Sequence, residues 1–531
     1  MRKRGGNAKQ QNKDMLYYGD NLDVLRQYIR DETVDLCYID PPFNSKRNYN
    51  QIYNNIGEED RAQAQAFIDT WRWDDLAIKG FDEIIANANG RFQAQLVDLI
   101  KGLYPVLGQD SLLAYLVSMS LRITEIFRVL KDTGTFFLHC DPTASHYLKL
   151  VLDAIFLPQG GDFQNEIAWC YSQGGRSRAR FPRKHDVIFW YSKGKSWTFN
   201  GKDVRVAYEL LSDKSQTSFT KTDEQGRKYK SVYGPGKKKL YTYYEGDGKL
   251  PYDWWTDIHQ MTGRTAASGN EYLGYPTQKP VALLERIIKV ASNEGDLVLD
   301  AYCGCGTTVV VAKELKRNWI GIDITYQSVS LVLRRLEGRF GSKVLDDISS
   351  NGIPRDMESA QALALKKDDR LRKEFEKWAV LTYTNNRAII NEKKGADAGI
   401  DARAFFKTGK TDNAKIIFQV KSGGVKRGDI ATLRGDMGRE EAALAVLITL
   451  ENPSGPMIRE AKAAGQYRHE EMGRSYDRIS IVTIKEIVEE GKRLEIPMSL
   501  EVLAAAQRAI NKAAQLSLSD FASLDPDEDH E

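Results

Sequence analysis

Residues 297–308 read LVLDAYCGCGTT: a short apolar run ending in Asp300, a turn through Gly304 and Gly306, and the start of a helix that continues as VVVAKELK. An apolar run bounded by a turn reads as a strand, and the stretch after it has helical length and composition. Glycines let a ligand approach the backbone closely. An open parallel sheet binds ligands beyond the carboxyl ends of its strands, where this turn sits. A tight packing turn explains a lone Gly-x-Gly equally well, so its neighbours matter. The third glycine of a dinucleotide fingerprint is absent, because Val309 stands three residues after Gly306. In its place Asp300, four residues before Gly304, suits a cofactor with a positive charge rather than a pyrophosphate. Seventeen residues after Gly306, Asp323 ends the next apolar run, NWIGIDI, where an acid accepts hydrogen bonds from ribose hydroxyls. Together these favour S-adenosylmethionine over NAD.

The same alternation extends outward. PVALLERIIKVAS before the stretch is helical, so strand and helix alternate and predict an α/β unit with a covered parallel sheet. Nearer the start come LYYGD ending at Asp20, a short helix over Asn21–Arg30, and the strand TVDLCYID ending at Asp40. A helix-rich stretch over 58–130, the buried strand GTFFLHCD and the helix SHYLKLVLDAIF follow. Residues 160–270 are rich in Gly, Lys and Tyr, with short strand-like pieces. The expected organisation is a basic arm (1–13), a first unit (14–345), a linker (346–367), a second α/β unit (368–495) and a helical to acidic tail (496–531).

With 531 residues, 42% of them apolar, the chain can build more than one core. It has no apolar run of membrane-spanning length and its start lacks a signal-peptide core, so a soluble, cytoplasmic protein with no membrane partner is expected. Five cysteines without a paired framework read as reduced thiols. The net charge of +3 is uneven: Arg176 to Lys249 carries 18 Lys and Arg against 8 Asp and Glu. That segment holds RSRARFPRK and KKK (Lys237–Lys239), interleaved with Phe189, Trp190, Trp197, Tyr229, Tyr233 and Tyr241. It reads as a surface for double-stranded DNA or as a solvated charged loop.

Asp40-Pro41-Pro42-Phe43 follows a strand directly. The two prolines fix φ and remove two backbone donors, which makes the turn rigid. A packing turn would use such prolines without needing a carboxylate before them and an aromatic after. The chemistry of an exocyclic amino group explains all four positions. Its lone pair is delocalised into the ring, and hydrogen bonds to the Asp40 carboxylate and the Pro41 carbonyl favour a tetrahedral nitrogen. That frees the lone pair to attack a sulfonium methyl, so the protein's task is positioning and electrostatics. Phe43 would stack on a base extruded from the duplex.

DPPF, DAYCGCGTT and YPTQKP (Tyr275–Pro280), in this order, resemble the beta class of DNA amino-methyltransferases, which includes the modification subunits of type III restriction systems. The resemblance covers about Met15 to Phe340. It implies a permuted Rossmann-like S-adenosylmethionine methyltransferase fold, with the 160–270 region inserted for target recognition. It also implies cofactor contacts from Asp20 and Asp323 on the adenosine side and from Asp300, Tyr302, Cys303, Gly304, Gly306 and Thr307 on the methionine side. Thr277 and Lys279 would lie near the cofactor carboxylate. DPPF is similar to adenine N6 enzymes; cytosine N4 enzymes usually carry Ser in place of the Asp. Ala301-Tyr302-Cys303 departs from the Pro-Phe-Cys frequent in relatives. A homodimer or a restriction subunit is the kind of partner this family implies.

In the second unit Asp401 precedes a strand, and Gln419-Val420-Lys421 ends the next, with Gln419 and Lys421 on one face. An Asp with such a pair holds a divalent metal and orients water for phosphodiester hydrolysis, and Glu376 on the preceding helix adds a ligand. The pattern resembles the Mrr-like branch of the restriction-endonuclease superfamily. It implies an α/β restriction-endonuclease-like domain with Asp401, Gln419 and Glu376 on Mg²⁺ and Lys421 catalytic. At this point other readings stay open: an orphan methyltransferase whose second unit only grips DNA, a regulatory DNA-binding module, and methylation of RNA.

Overall fold

The computed structural model describes residues 14–42, 71–171, 181–207, 219–233, 240–261, 271, 278–365, 369–391, 399–409, 412–498 and 502. In the first unit the strands are β1 Asp14–Tyr18, β2 Val34–Ile39, β3 Leu130–Cys140, β4 Asp162–Cys170, β5 His185–Ser192, β6 Lys221–Thr222, β7 Lys228–Tyr233, β8 Leu240–Tyr244, β9 Trp254–Trp255, β10 Leu297–Asp300, β11 Asn318–Asp323 and β12 Ile348–Asn351. Nine of them form one sheet in the order β12-β1-β11-β10-β2-β3-β5-β4-β9, and β6–β8 form a separate sheet. From β12 to β3 every neighbouring pair is parallel, and β5 reverses direction. This is the α/β class expected, with the DPPF strand ahead of the glycine-loop strand in the chain and beside it in the sheet.

The period of two along each strand sorts residues onto two covered faces. Leu36 and Tyr38 of β2 enter one core with helices Val281–Ala291, Thr307–Glu314 and Tyr326–Phe340. Cys37 and Ile39 enter the other, under helices Asn21–Tyr28, Ser111–Val129 and Ser145–Phe156. Helix Ser111–Val129 is buried nearly all round and carries one buried acid. Glu125 meets Arg26 at 3.1 Å, Arg91 at 2.5 Å and Arg128 at 2.7 Å, which tie it to the first helix.

The second sheet contains β13 Ile389–Ile390, β14 Ala402–Lys407, β15 Asn413–Lys421, β16 Leu444–Thr449 and, after the hairpin of β17 Gln466–His469 and β18 Arg474–Asp477, β19 Ile479–Thr483. Its order is β13-β14-β15-β16-β19, antiparallel up to β15 and parallel after it. Helices Arg427–Arg439 and Gly455–Lys462 cover one face, and helix Asp369–Tyr383 packs on the other.

Residues 346–367, expected as a linker, contain β12 and helix Met357–Ala364. Strand β12 pairs with β1 through its backbone, with Met15 opposite Ser349, so it needs no apolar run to form. Ala360 and Leu363 join a core that continues into the second unit through Phe375 and Trp378. Across this junction Glu374 accepts the backbone N–H of Tyr326 at 2.8 Å, and Arg387 pairs with Glu337 at 2.7 Å.

Candidate active site

Four parallel strands bring four carboxylates to one edge. The register pairs Leu299 with Cys37, so Asp300 stands level with Tyr38 and Asp40 emerges two residues further on. On the other side Asp300 pairs with Gly321 and Tyr18 with Asp323, so Asp20 and Asp323 leave the sheet at the same end. The rigid Asp-Pro-Pro corner and the glycine loop therefore face a common edge on adjacent strands. Pro41 is buried and Pro42 half-buried. Phe43 and Thr277 lie outside the described residues.

Backbone bonds shape the glycine loop. The N–H of Cys303 donates to the Ile322 carbonyl at 3.0 Å, and that of Gly306 donates to the Cys303 carbonyl at 2.8 Å. Gly304 and Gly306 adopt φ of +50° and +75°, which favour glycine. Asp323 accepts the Gly304 N–H at 2.8 Å and both the N–H and hydroxyl of Thr325, at 2.9 and 3.0 Å. Asp300 accepts the Tyr302 N–H at 3.0 Å. Burial pushes Asp300 up to about 7, with the charge of Asp40 adding to the rise, and pushes Asp323 up to about 6. Tyr302 packs against the helical face with its hydroxyl toward the Met119 sulfur, 3.7 Å away. The Thr307 hydroxyl accepts from Arg335 at 3.1 Å, and the same guanidinium donates to the Cys305 carbonyl at 2.7 Å.

Asp20 has two structural tasks. It caps the first helix by accepting the Leu22 N–H at 2.7 Å, and it takes both prongs of an Arg122 contact at 3.1 and 2.9 Å. Arg122 also donates to Asn21 at 2.6 Å, and Asn21 donates to the Ala301 carbonyl at 2.7 Å, bracing the glycine loop from behind. Sequence reasoning missed Arg122 and Asn21; the only local signal was the Asn beside Asp20.

Lys279 stands 2.6 Å from Asp40 across a sequence gap of 239 residues. The YPTQKP segment and the catalytic corner thus meet directly. Nearby, Tyr38 and His139 hydrogen-bond at 2.9 Å, and His139 contacts Asp186 at 3.2 Å. Tyr171 donates to Asp186 at 3.1 Å. Against the pull of burial, His139 and Lys279 hold Asp186 below its ordinary range.

Part of the expected DNA-facing surface is corrected. Phe189 and Trp190 lie on β5 with 1% and 6% exposure, because strand register turns them into the core. Trp197 packs at the edge of that core and Tyr229 is half-buried. Tyr233 and Tyr241 are exposed, on the small β7–β8 sheet where Lys230 lies 4.5 Å over the Phe219 ring. Arg176–Arg180 and Lys237–Lys239 are outside the described residues.

In the second unit Ala402 pairs with Phe418, which sets Asp401 beside Gln419. Asp401 accepts the Val420 N–H at 2.7 Å. The Gln419 amide donates to the Gly399 carbonyl at 3.0 Å, while its buried oxygen has no partner. Burial and then the charge of Glu376 raise Asp401; burial raises Glu376, and Lys421 acts on both in the opposite sense. Among the described residues no group of three His, Cys, Asp or Glu side chains is placed to hold a metal. The donor set here is two carboxylates and an orphaned amide oxygen, which fits one hard divalent cation.

A DNA methylase family model matches residues 34–334, and the chain belongs to that family. Type II methyltransferase M.HpaI of Haemophilus parainfluenzae is 28% identical over 278 residues, 51% of this chain and 74% of that one. The DNA adenine methyltransferase YhdJ of Escherichia coli strain K12 is 26% identical over 324 residues, 61% of this chain and 82% of its own. A DNA modification methylase of Thermus thermophilus, solved with S-adenosyl-L-methionine, shares 15% identity and a TM-score of 0.33 over 61% of this chain and 93% of that one. Among the described residues no helix is long and apolar enough to cross a membrane.

Proposed function

We propose that the chain transfers a methyl group from S-adenosylmethionine to the exocyclic N6 of an adenine extruded from duplex DNA. The observation that carries this is the register that sets Asp40 and Asp300 on the ends of adjacent parallel strands. The residues fit the cofactor: Asp300 and Asp323 are acids whose affinity for protons is raised toward neutrality by burial, and a cationic, hydroxyl-bearing ligand is what such a pair favours. When bound, S-adenosylmethionine supplies an activated methyl group. Asp40 and the Pro41 carbonyl accept the two amino hydrogens, and the prolines hold these acceptors still, so the gain is mainly orientation. Adenine is favoured by the Asp in DPPF and by the similarity to the adenine methyltransferase YhdJ. The test is incubation with labelled S-adenosylmethionine and either unmethylated duplex DNA or structured RNA. Label in N6-methyladenine of DNA, lost in Asp40→Asn, is expected. Label in RNA alone, or in N4-methylcytosine, would overturn the corresponding part.

We also infer that the second unit is an Mrr-like, Mg²⁺-dependent nuclease. Glu376, Asp401 and the orphaned oxygen of Gln419 would hold the ion, which supplies Lewis-acid chemistry, and Lys421 would orient the attacking water. The support is the unpartnered buried oxygen beside two mutually raised carboxylates. Lys421→Ala is expected to abolish Mg²⁺-dependent cleavage of unmodified DNA while methylation persists. If the wild-type protein leaves all unmodified DNA intact, the unit only binds DNA.

A further inference from the structure

We propose that Lys279 is a positioning residue for methyl transfer, holding one carboxylate oxygen of Asp40 so that the other is left for the target amino group. The inference rests on the role of Asp40 proposed above and assigns Lys279 to the catalytic corner rather than to the cofactor's carboxylate.

The first support is the division of the carboxylate. Lys279 takes Oδ2 at 2.6 Å, with both side chains mostly buried. Among the described residues Oδ1 of Asp40 accepts no hydrogen bond. The bond between Cβ and a carboxylate rotates in a broad well, so a rigid backbone corner alone does not set where its oxygens lie. A fixed ammonium does.

The second is how firmly Lys279 is held. Its backbone neighbours are locked: Gln278 donates to the Glu271 carbonyl at 2.7 Å, and the Val281 N–H donates to the Glu271 carboxylate at 2.6 Å. Its ammonium acts on Asp186 of β5 as well as on Asp40 of β2. From Asp186 the contacts run through His139 of β3 to the Tyr38 hydroxyl, which returns to β2 two residues before Asp40. A ring of side chains from three strands and the 278–281 segment therefore closes around the catalytic carboxylate. His139 is fully buried, so the ring is shielded from water.

The third is charge. Asp300 and Asp40 lie near enough for each to disfavour ionisation of its neighbour. A cation between Asp40 and Asp186 offsets the accumulation of acid at this edge. A lysine reassigned to a cofactor carboxylate would leave that acid uncompensated.

The experiment uses the full-length protein, labelled S-adenosylmethionine and unmethylated duplex DNA. It measures the single-turnover rate at saturating cofactor and, separately, the cofactor Kd. Lys279→Met is expected to slow transfer roughly 100-fold, the scale of a small misplacement of a reacting group, with a cofactor Kd within about threefold of wild type. Lys279→Arg should recover the rate to within about tenfold. A wild-type saturated rate in Lys279→Met, with cofactor binding weakened tenfold or more, overturns the proposal. Should Lys279→Met not fold, Tyr38→Phe removes only the hydroxyl that closes the ring. A rate about tenfold lower with unchanged cofactor Kd supports the proposal, and a wild-type rate overturns it. If the wild-type protein methylates nothing, the underlying role of Asp40 fails; if it methylates and Asp40→Asn is dead while Lys279→Met is fully active, only the present inference fails.

Discussion

Gly306 shows how little freedom the cofactor loop has. At φ of +75°, an added Cβ would lie 2.7 Å from Val332 of the neighbouring helix. Gly306→Ala should therefore destabilise the protein by about 2 kcal/mol from backbone strain and overlap, read as a lower urea midpoint, and weaken cofactor binding. The two raised acids give a pH signature. Between the ordinary carboxylate range and about 6 to 7, Asp300 and Asp323 keep protons that the unfolded chain has lost. Their contribution to stability is complete below about pH 4 and disappears as pH rises through 7. The thermal midpoint of the ligand-free protein should thus fall from pH 5 to pH 8, and Asp300→Asn should flatten that slope. A cationic cofactor favours the ionised acids, so its stabilising effect should grow over the same interval. A slope unchanged in Asp300→Asn would contradict this. At this scale Asp40, Asp300 and Asp323 were legible because a strand-end acid followed by a turn is a local pattern. Lys279 was located but its partner was not, since nothing local says which acid 239 residues away it will meet.

Elements fold around two kinds of anchor. The parallel strands are apolar on both faces and were legible for that reason; β2, β10 and β11 appear close to where their sequence runs suggest. Helix Ser111–Val129 depends in addition on Glu125, whose three arginine partners come from the first helix, the loop at Arg91 and its own last turn. Glu125→Leu removes the shared acid while leaving those cations partly desolvated. It should cost about 3 kcal/mol, measured by chemical denaturation; a loss under 1 kcal/mol would make the cluster incidental. Strand β12 and helix Met357–Ala364 were hidden in a polar stretch, because one pairs through its backbone and the other turns only a few small side chains inward. The aromatics of β5 were misjudged for a related reason. Composition reports that rings are present, but only register reports that Phe189 and Trp190 point into the core.

For the whole molecule, the sequence suggested two units joined by a tether, whereas the core runs from one into the other through Ala360, Leu363, Phe375 and Trp378. Removing everything after Leu365 should expose this apolar wall and lower the melting temperature of the remainder by roughly 10 °C, or leave it insoluble. A truncated protein as stable as the full chain would show the junction to be idle. Helix Asp369–Tyr383 concentrates the consequence. Glu374 closes off the Tyr326 amide at the start of the helix that follows Asp323, and Glu376, two positions later, belongs to the acidic cluster of the second sheet. A gene crossover near codon 350 that grafted a foreign tail onto this modifying half would inherit a bare amide beside the cofactor edge and an unmatched greasy seam. Such hybrids would be weeded out at folding, before any question of recognition arose, and the two halves should descend together as a matched pair.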